Sequence, residues 1–238
     1  TRLQNIGPVA WPSQGYVKPD GTQASNGLRH PSSVIHAGYL YIFVQETGTK
    51  VSRVRVDSVL HPGAYTTWTK AGTWVPSLPA GFTKENIVAF YQTPGPANSP
   101  VFPIDQNTVR FSVAKTKGTD TLFIGVEDYV TSSGQARTAF RFSKNLLKWT
   151  DRQLVQVDSS WASNPLKYAV FLNQEGTSNT EIDLQEFYLL GMATTNVLTK
   201  VHCKRTTGVQ EPRAMIYTPT AALSPKYSFS YEQLRPGL

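Results

Sequence analysis

The chain's 238 residues include 16 acidic side chains, and these are the groups best suited to acid–base chemistry. Hydrolysis of a glycosidic bond normally takes two of them. One carboxyl gives a proton to the leaving oxygen, and the other activates water or attacks the sugar, at a separation of about 5 Å or about 6.5–9.5 Å according to stereochemistry. Glu127 and Asp128 close the apolar run LFIGVEDY. Neighbours on a strand point to opposite faces, so only one of the two can line a site. Glu127 shares its face with Phe123, Gly125 and Tyr129, and an acid beside aromatic rings and a glycine suits a sugar pocket. Glu181 and Asp183 are two apart and share a face, although NQEGTSNTEID also reads as a polar loop whose acids cap backbone amides. Glu211, in VQEPRAMIY, is an acid that the nearby Arg213 could tune, or a surface turn with an ion pair of little value. Asp57 shares an alternating pattern with Arg53 and Arg55, which reads as structural charge pairing.

The four histidines add one candidate. His30 precedes Pro31 and a dense aromatic run, where an imidazole is either a general acid or base near neutral pH or the fixture of a corner. His36 and His61 read as loop residues. His202 alternates with Cys203 on a late strand. No spacing among them resembles a zinc site, and no cofactor is expected. Trp11 and Trp74 lie in or beside long loops, where a ring could stack on a sugar. Arg29 and Tyr129 join them as candidate binding residues, whereas Trp149 reads as core. A phosphate loop and a Gly-x-Ser-x-Gly elbow are both absent.

Helix signals are nearly absent from the elements that must carry these residues. The 17 glycines and 16 prolines fall at short intervals, separated by runs of Val, Ile, Phe, Tyr and Thr. This is the pattern of an all-β sandwich, barrel or propeller. Strands are expected over residues 34–36 and 39–45, joined by a tight turn at Ala37-Gly38, and over 51–57, 108–115, 121–129 and 136–143. Later strands are expected over 167–173, 184–192, 197–204, 213–218 and 227–231. Residues 12–33 and 72–106 are long and irregular, with 87–92 the one strand-like portion of the second. Loops of that length are usually functional or disordered. VRFSVAK and FRFSKNLLKW repeat an Arg-Phe-Ser core, with YSFSYEQL a weaker third copy. No composition shift marks a domain boundary, and one domain over 1–238 is expected.

RHPSSVIHAGYLYIFV (29–44) resembles the opening of the first blade in five-bladed β-propeller glycosidases, the group of arabinanases and β-xylosidases. In that group an Asp-Pro-Ser step leads into two aromatic strands. RFSKNLLKWTDRQLV (141–155) is similar to the group's blade-end signature through Ser143, Leu146 and Trp149. GTDTLFIGVEDY (118–129) and TEIDLQEFYLLG (180–191) resemble the inner hairpins of later blades. The resemblance implies antiparallel four-stranded blades, five in number or a truncated version lacking an amino-terminal portion. It implies a glycoside hydrolase in which Glu127, Glu181, Asp183 or Glu211 supplies acid and base and His30 assists. The chain departs from the group in three ways: His30 stands where the leading Asp would be, the chain is short for five blades, and no clean general-acid motif is found. The rival expectation is a glycan-binding or adhesion propeller without catalysis.

The formal charge of +7 comes from scattered basic residues. A soluble basic surface explains it, and so does an anionic polysaccharide. Nucleic acid would demand a denser basic stripe, so it is not expected as a partner. A membrane is not expected either, since no apolar run is long enough to span one. The single cysteine precludes an internal disulfide. The chain begins at Thr1, which is read as a processed product of a secreted or periplasmic protein. Oligomeric state is left open.

Overall fold

Ala37 and Gly38 both adopt the left-handed conformation, with φ of 49° and 77°, as a two-residue primed hairpin turn requires. They join β1 (Arg29–His36) to β2 (Tyr39–Glu46), setting His36 opposite Tyr39 and Val34 opposite Tyr41. A computed structural model of the chain describes residues 5–24, 27–102, 107–118, 121–158, 160–164, 166–192, 196–205 and 227–234. The chain divides into two compact units, residues 1–111 and 112–238.

In the first unit β3 (Gly48–Arg55), β4 (Thr66–Trp68) and β5 (Trp74–Pro76) continue the hairpin. The result is a five-stranded antiparallel meander in the order β1-β2-β3-β4-β5. Phe43 and Val51 are fully buried and oppose one another in register. The Phe43 ring lies 5.3 Å from Phe111, which lies 4.8 Å from Phe102. The long glycine- and proline-rich segments are packed around Trp11. Its ring is 4.9 Å from Tyr16 and 5.1 Å from Phe82, and its Nε1 donates to the Thr93 carbonyl at 2.9 Å. Gly95 permits this approach, since a Cβ there would stand 2.7 Å from the Pro12 carbonyl. Glu46 ties the first segment to the sheet. It accepts the Ser13 amide at 2.8 Å and lies 3.7 Å from the buried Lys50 ammonium, which donates to Asn98 Oδ1 at 2.6 Å. Burial is the chief cause that holds the Lys50 ammonium below the ordinary lysine range, with the nearby Glu46 opposing it.

The remaining strands are β6 (Asn107–Thr116), β7 (Phe123–Val130), β8 (Ala136–Ser143), β9 (Gln153–Asp158), β10 (Val170–Leu172), β11 (Glu181–Ile182), β12 (Glu186–Met192), β13 (Asn196–Arg205) and β14 (Tyr227–Leu234). They form a sheet in the order β11-β6-β7-β8-β9, with β11 parallel to β6, and a second in the order β10-β12-β13-β14. β7 is buried on both faces, which is why it reads as a continuous apolar run rather than an alternation. Ile124 and Val126 join Phe140, Phe142, Phe171, Phe187 and Leu189 in the core of this unit. Phe140 is central, with ring centroids 4.9 Å from Phe229 and 5.8 Å from Phe187. Truncating a ring so placed costs about 3–5 kcal/mol.

The fold is all-β, as the turn spacing predicts. Several boundaries differ from the sequence expectation. Residues 87–92 are not a strand, because Lys84–Phe90 forms 3-10 turns. They start at Thr83, whose amide donates a reciprocal hydrogen bond to Asn86 Oδ1 at 2.8 Å, and this capping box outweighs the β-branched Ile87-Val88. The strand expected over 51–57 ends at Arg55, and Asp57 falls in a following 3-10 turn, Val56–Ser58. The expected strand over 167–173 shrinks to Val170–Leu172, since Tyr168 takes a positive φ of 60°. Trp149 is half-buried rather than core. Its indole donates to the Leu146 carbonyl at 3.0 Å, and Leu146 is the residue of that motif that is fully buried. The strand expected over 213–218 lies outside the described residues.

Candidate functional site

Glu127 and Asp128 point to opposite faces of β7, and both are fully buried. Glu127 Oε2 accepts Arg141 Nε at 2.7 Å and Arg152 Nε at 2.9 Å, while Oε1 accepts Arg152 Nη2. Arg141 also donates to the Thr150 carbonyl at 2.8 Å, and the Arg152 guanidinium lies 3.6 Å from the Tyr129 ring centroid. Arg141 comes from β8, where it is paired with Gly125, two residues from Glu127. Two cations thus face one buried carboxylate, and both of its oxygens are engaged. A general acid instead needs a proton and an oxygen directed at the substrate. Asp128 accepts Thr138 Oγ1 at 2.9 Å and the Ala169 amide at 3.1 Å, which ties the strand to the start of β10.

The other acids proposed from sequence are dispersed. Glu181 is exposed on its short strand. Asp183 accepts the Gln185 amide at 2.9 Å, the amide-capping alternative that the polar loop suggested. Glu211 lies outside the described residues. Asp57 forms an exposed pair with Arg55 at 3.0 Å. Glu186 on β12 pairs with Lys200 at 2.9 Å and lies 3.3 Å from His202 Nδ1.

His30 occupies a bulge. The β1–β2 register shifts between Arg29 and Ser32, and His30 itself has φ of 52°, a conformation unusual for a non-glycine residue. The His-Pro-Ser step is therefore inside β1 and re-aims the strand. Burial, then Arg110 and Arg29, hold the imidazole below its usual range. Arg29 is exposed. Trp11 is 1% exposed and offers no ring face to a sugar. Tyr129 is buried under Arg152.

Trp74 is different. It is half-buried on β5 and belongs to a group of side chains on one face of the first sheet. Register fixes the group: Tyr41 opposes Arg53, Tyr39 opposes Arg55, and Trp68 opposes Trp74. Strand residues two apart share a face. One end of this face is the buried cluster around Phe43 and Val51. The other end carries Tyr39, Arg53, Trp68 and Trp74, all half-buried, beside the buried Tyr41. Trp68 and Trp74 meet at 5.2 Å, Tyr41 and Trp74 at 6.1 Å, and Tyr39 and Tyr41 at 6.4 Å. The Arg53 guanidinium lies 4.0 Å from the Trp74 centroid and 4.5 Å from Tyr39, at distances where cation and ring attract. Such a face offers large, rigid, partly wet rings on a sheet, with a cation among them. Tyr39, Tyr41, Arg53 and Trp68 were not singled out from sequence as binding residues. For Tyr41 and Arg53 a signal was available, since a three-residue loop at Glu46-Thr47-Gly48 pairs 45 with 49 and hence 41 with 53.

No protein-family model matches the chain, and no curated protein matches it.

Proposed function

We propose that the chain is a carbohydrate-binding protein of propeller-type architecture, which holds a glycan on the Tyr39–Trp68–Trp74 face without cleaving it. The observation that carries this reading is the convergence of these half-exposed rings on one face of a sheet. A ring there can cover the apolar C–H side of a sugar while its polar atoms remain in water. The propeller element is supported by the sequential four-stranded antiparallel run β1–β4, the strand number and connectivity of a blade. The non-catalytic element is supported by the engagement of the candidate acids. Glu127 is bound to two guanidiniums and Asp183 caps an amide.

The test is a panel of soluble poly- and oligosaccharides, read in parallel for binding by calorimetry and for release of reducing ends. Saturable binding without release is expected. Trp74→Ala should weaken binding about tenfold or more, the scale of a well-placed aromatic anchor, with the melting temperature recorded to show that the fold persists. Release of reducing ends that Glu127→Gln or Glu211→Gln abolishes in a folded protein would replace this reading with a glycoside hydrolase.

A further inference from the structure

We infer that the glycan held on this face is acidic, and that Arg53 receives a uronate carboxylate of it. The inference rests on the glycan-binding reading and specifies its ligand.

Arg53 stands near the middle of the sheet order, on β3, with Tyr39 reaching it from β2 and Trp74 from β5. A guanidinium can satisfy two different kinds of partner. Its π-faces meet aromatic rings, and the N–H donors in its plane meet acceptors. At Arg53 the first kind is supplied and the second is nearly missing. Its hydrogen bond to Tyr41 Oη is 3.5 Å long, and its buried Nε has no partner. No carboxylate among the described residues comes within ion-pair distance of it.

The buried Nε of Arg137 also has no partner, although its Nη2 donates to Gln135 Oε1 at 3.0 Å, whereas three other arginines hold a carboxylate. Arg55, two residues along the same strand, is bound through both Nε and Nη2 to Asp57, and Arg141 and Arg152 share Glu127. Arg53 is half-buried, and taking a cation partly out of water without an acceptor is costly. A carboxylate docking in the guanidinium plane at the two terminal Nη donors would offset that cost with two parallel charge-assisted hydrogen bonds. The rings also restrict the side chain beforehand, so less conformational freedom is lost when the anion docks. A uronic acid presents both required parts, a pyranose body for the rings and a carboxylate for the fork. The chain's +7 charge favours the approach of a polyanion at low salt.

Three probes separate the outcomes: oligogalacturonate, the same oligomer as its methyl ester, and a neutral gluco-oligosaccharide. Each is titrated into the full chain and into Arg53→Gln and Arg53→Lys, with melting curves recorded for all three proteins. The native chain should bind the acid about ten- to a hundredfold more tightly than the ester, the range of a charge-assisted pair. Arg53→Gln should erase that preference while ester binding persists. Arg53→Lys, which keeps the charge and loses the fork, should lose most of it, and this variant decides the matter if the glutamine variant does not fold. Equal binding of acid and ester, or a preference that survives in Arg53→Gln, would overturn the acidic ligand and leave glycan binding standing. Absence of binding to all three probes would overturn both.

Discussion

Replacing Glu127 with Gln alters one atom of a fully buried carboxylate and tests whether this residue serves the fold or a reaction. In the native chain Oε2 takes the two Nε donors of Arg141 and Arg152, and Oε1 takes Arg152 Nη2. A glutamine oxygen can keep one of these positions. The amide nitrogen then faces an N–H donor at the other, and two guanidiniums, 5% and 9% exposed, lose their counter-charge. Breaking a buried ion pair from one side costs about 3–5 kcal/mol, which is a large share of the roughly 5–15 kcal/mol by which domains are stable. At about 2–4 °C per kcal/mol for a chain of this size, the midpoint should fall by about 6–20 °C. Calorimetry or circular dichroism reads the midpoint directly. A double-mutant cycle with Arg152→Met isolates the pair, and a coupling of at least about 1 kcal/mol is expected for residues in one network. A melting temperature unchanged by Glu127→Gln, or strictly additive single and double variants, would refute the structural assignment.

Three further outcomes follow from local geometry. Ala37 pays the steric cost of a positive φ, so Ala37→Asn, which tolerates that region and suits the turn, should stabilise the protein by about 0.5–1 kcal/mol in urea unfolding; a destabilised variant contradicts the turn. Burial pushes the Cys203 thiol up to about 12, so a disulfide reagent at pH 8 should label it only as the protein unfolds, and rapid labelling of the native chain contradicts its placement on β13. His30 is held below the ordinary histidine value of about 6.5 by burial, Arg110 and Arg29. The unfolded chain therefore takes up this proton first, and the stability from the neutral imidazole is present above about pH 6.5 and declines as pH falls toward the lowered folded value. His30→Asn should flatten that part of the stability–pH curve, and an unchanged slope contradicts the assignment.

Much of the strand pattern could be read from the chain. The turn at Ala37-Gly38 predicted β2 to within one residue but only the last three residues of β1, whose first five fell in the segment read as irregular, and β8 was predicted to the residue. Short strands escaped because three residues, as in Thr66–Trp68 or Trp74–Pro76, carry no period. Their existence depends on what β3 offers them. Lys84–Phe90 misled because Ile87 and Val88 favour strands, whereas Thr83 and Asn86 close a cap that only coordinates reveal. Glu127 was correctly placed beside aromatic residues, but its partners stand 14 and 25 residues away. Nothing in the spacing of Arg141 and Arg152 distinguishes them from the chain's other basic residues. The aromatic face was hidden for the opposite reason. Trp74 reads as a loop residue and Tyr39, Tyr41 and Arg53 as ordinary strand residues, and nothing in the sequence before the register is known sets Trp68 against Trp74.

Titration of the native chain with oligogalacturonate, followed by tryptophan fluorescence, addresses the aromatic face most directly, because Trp68 and Trp74 report from the surface proposed to hold the glycan. A saturable spectral change that Trp74→Phe reduces, with the melting temperature preserved and no reducing ends released, is the predicted result. Saturable binding that leaves the spectrum unaltered and is indifferent to Trp74 would place the ligand elsewhere and contradict the account.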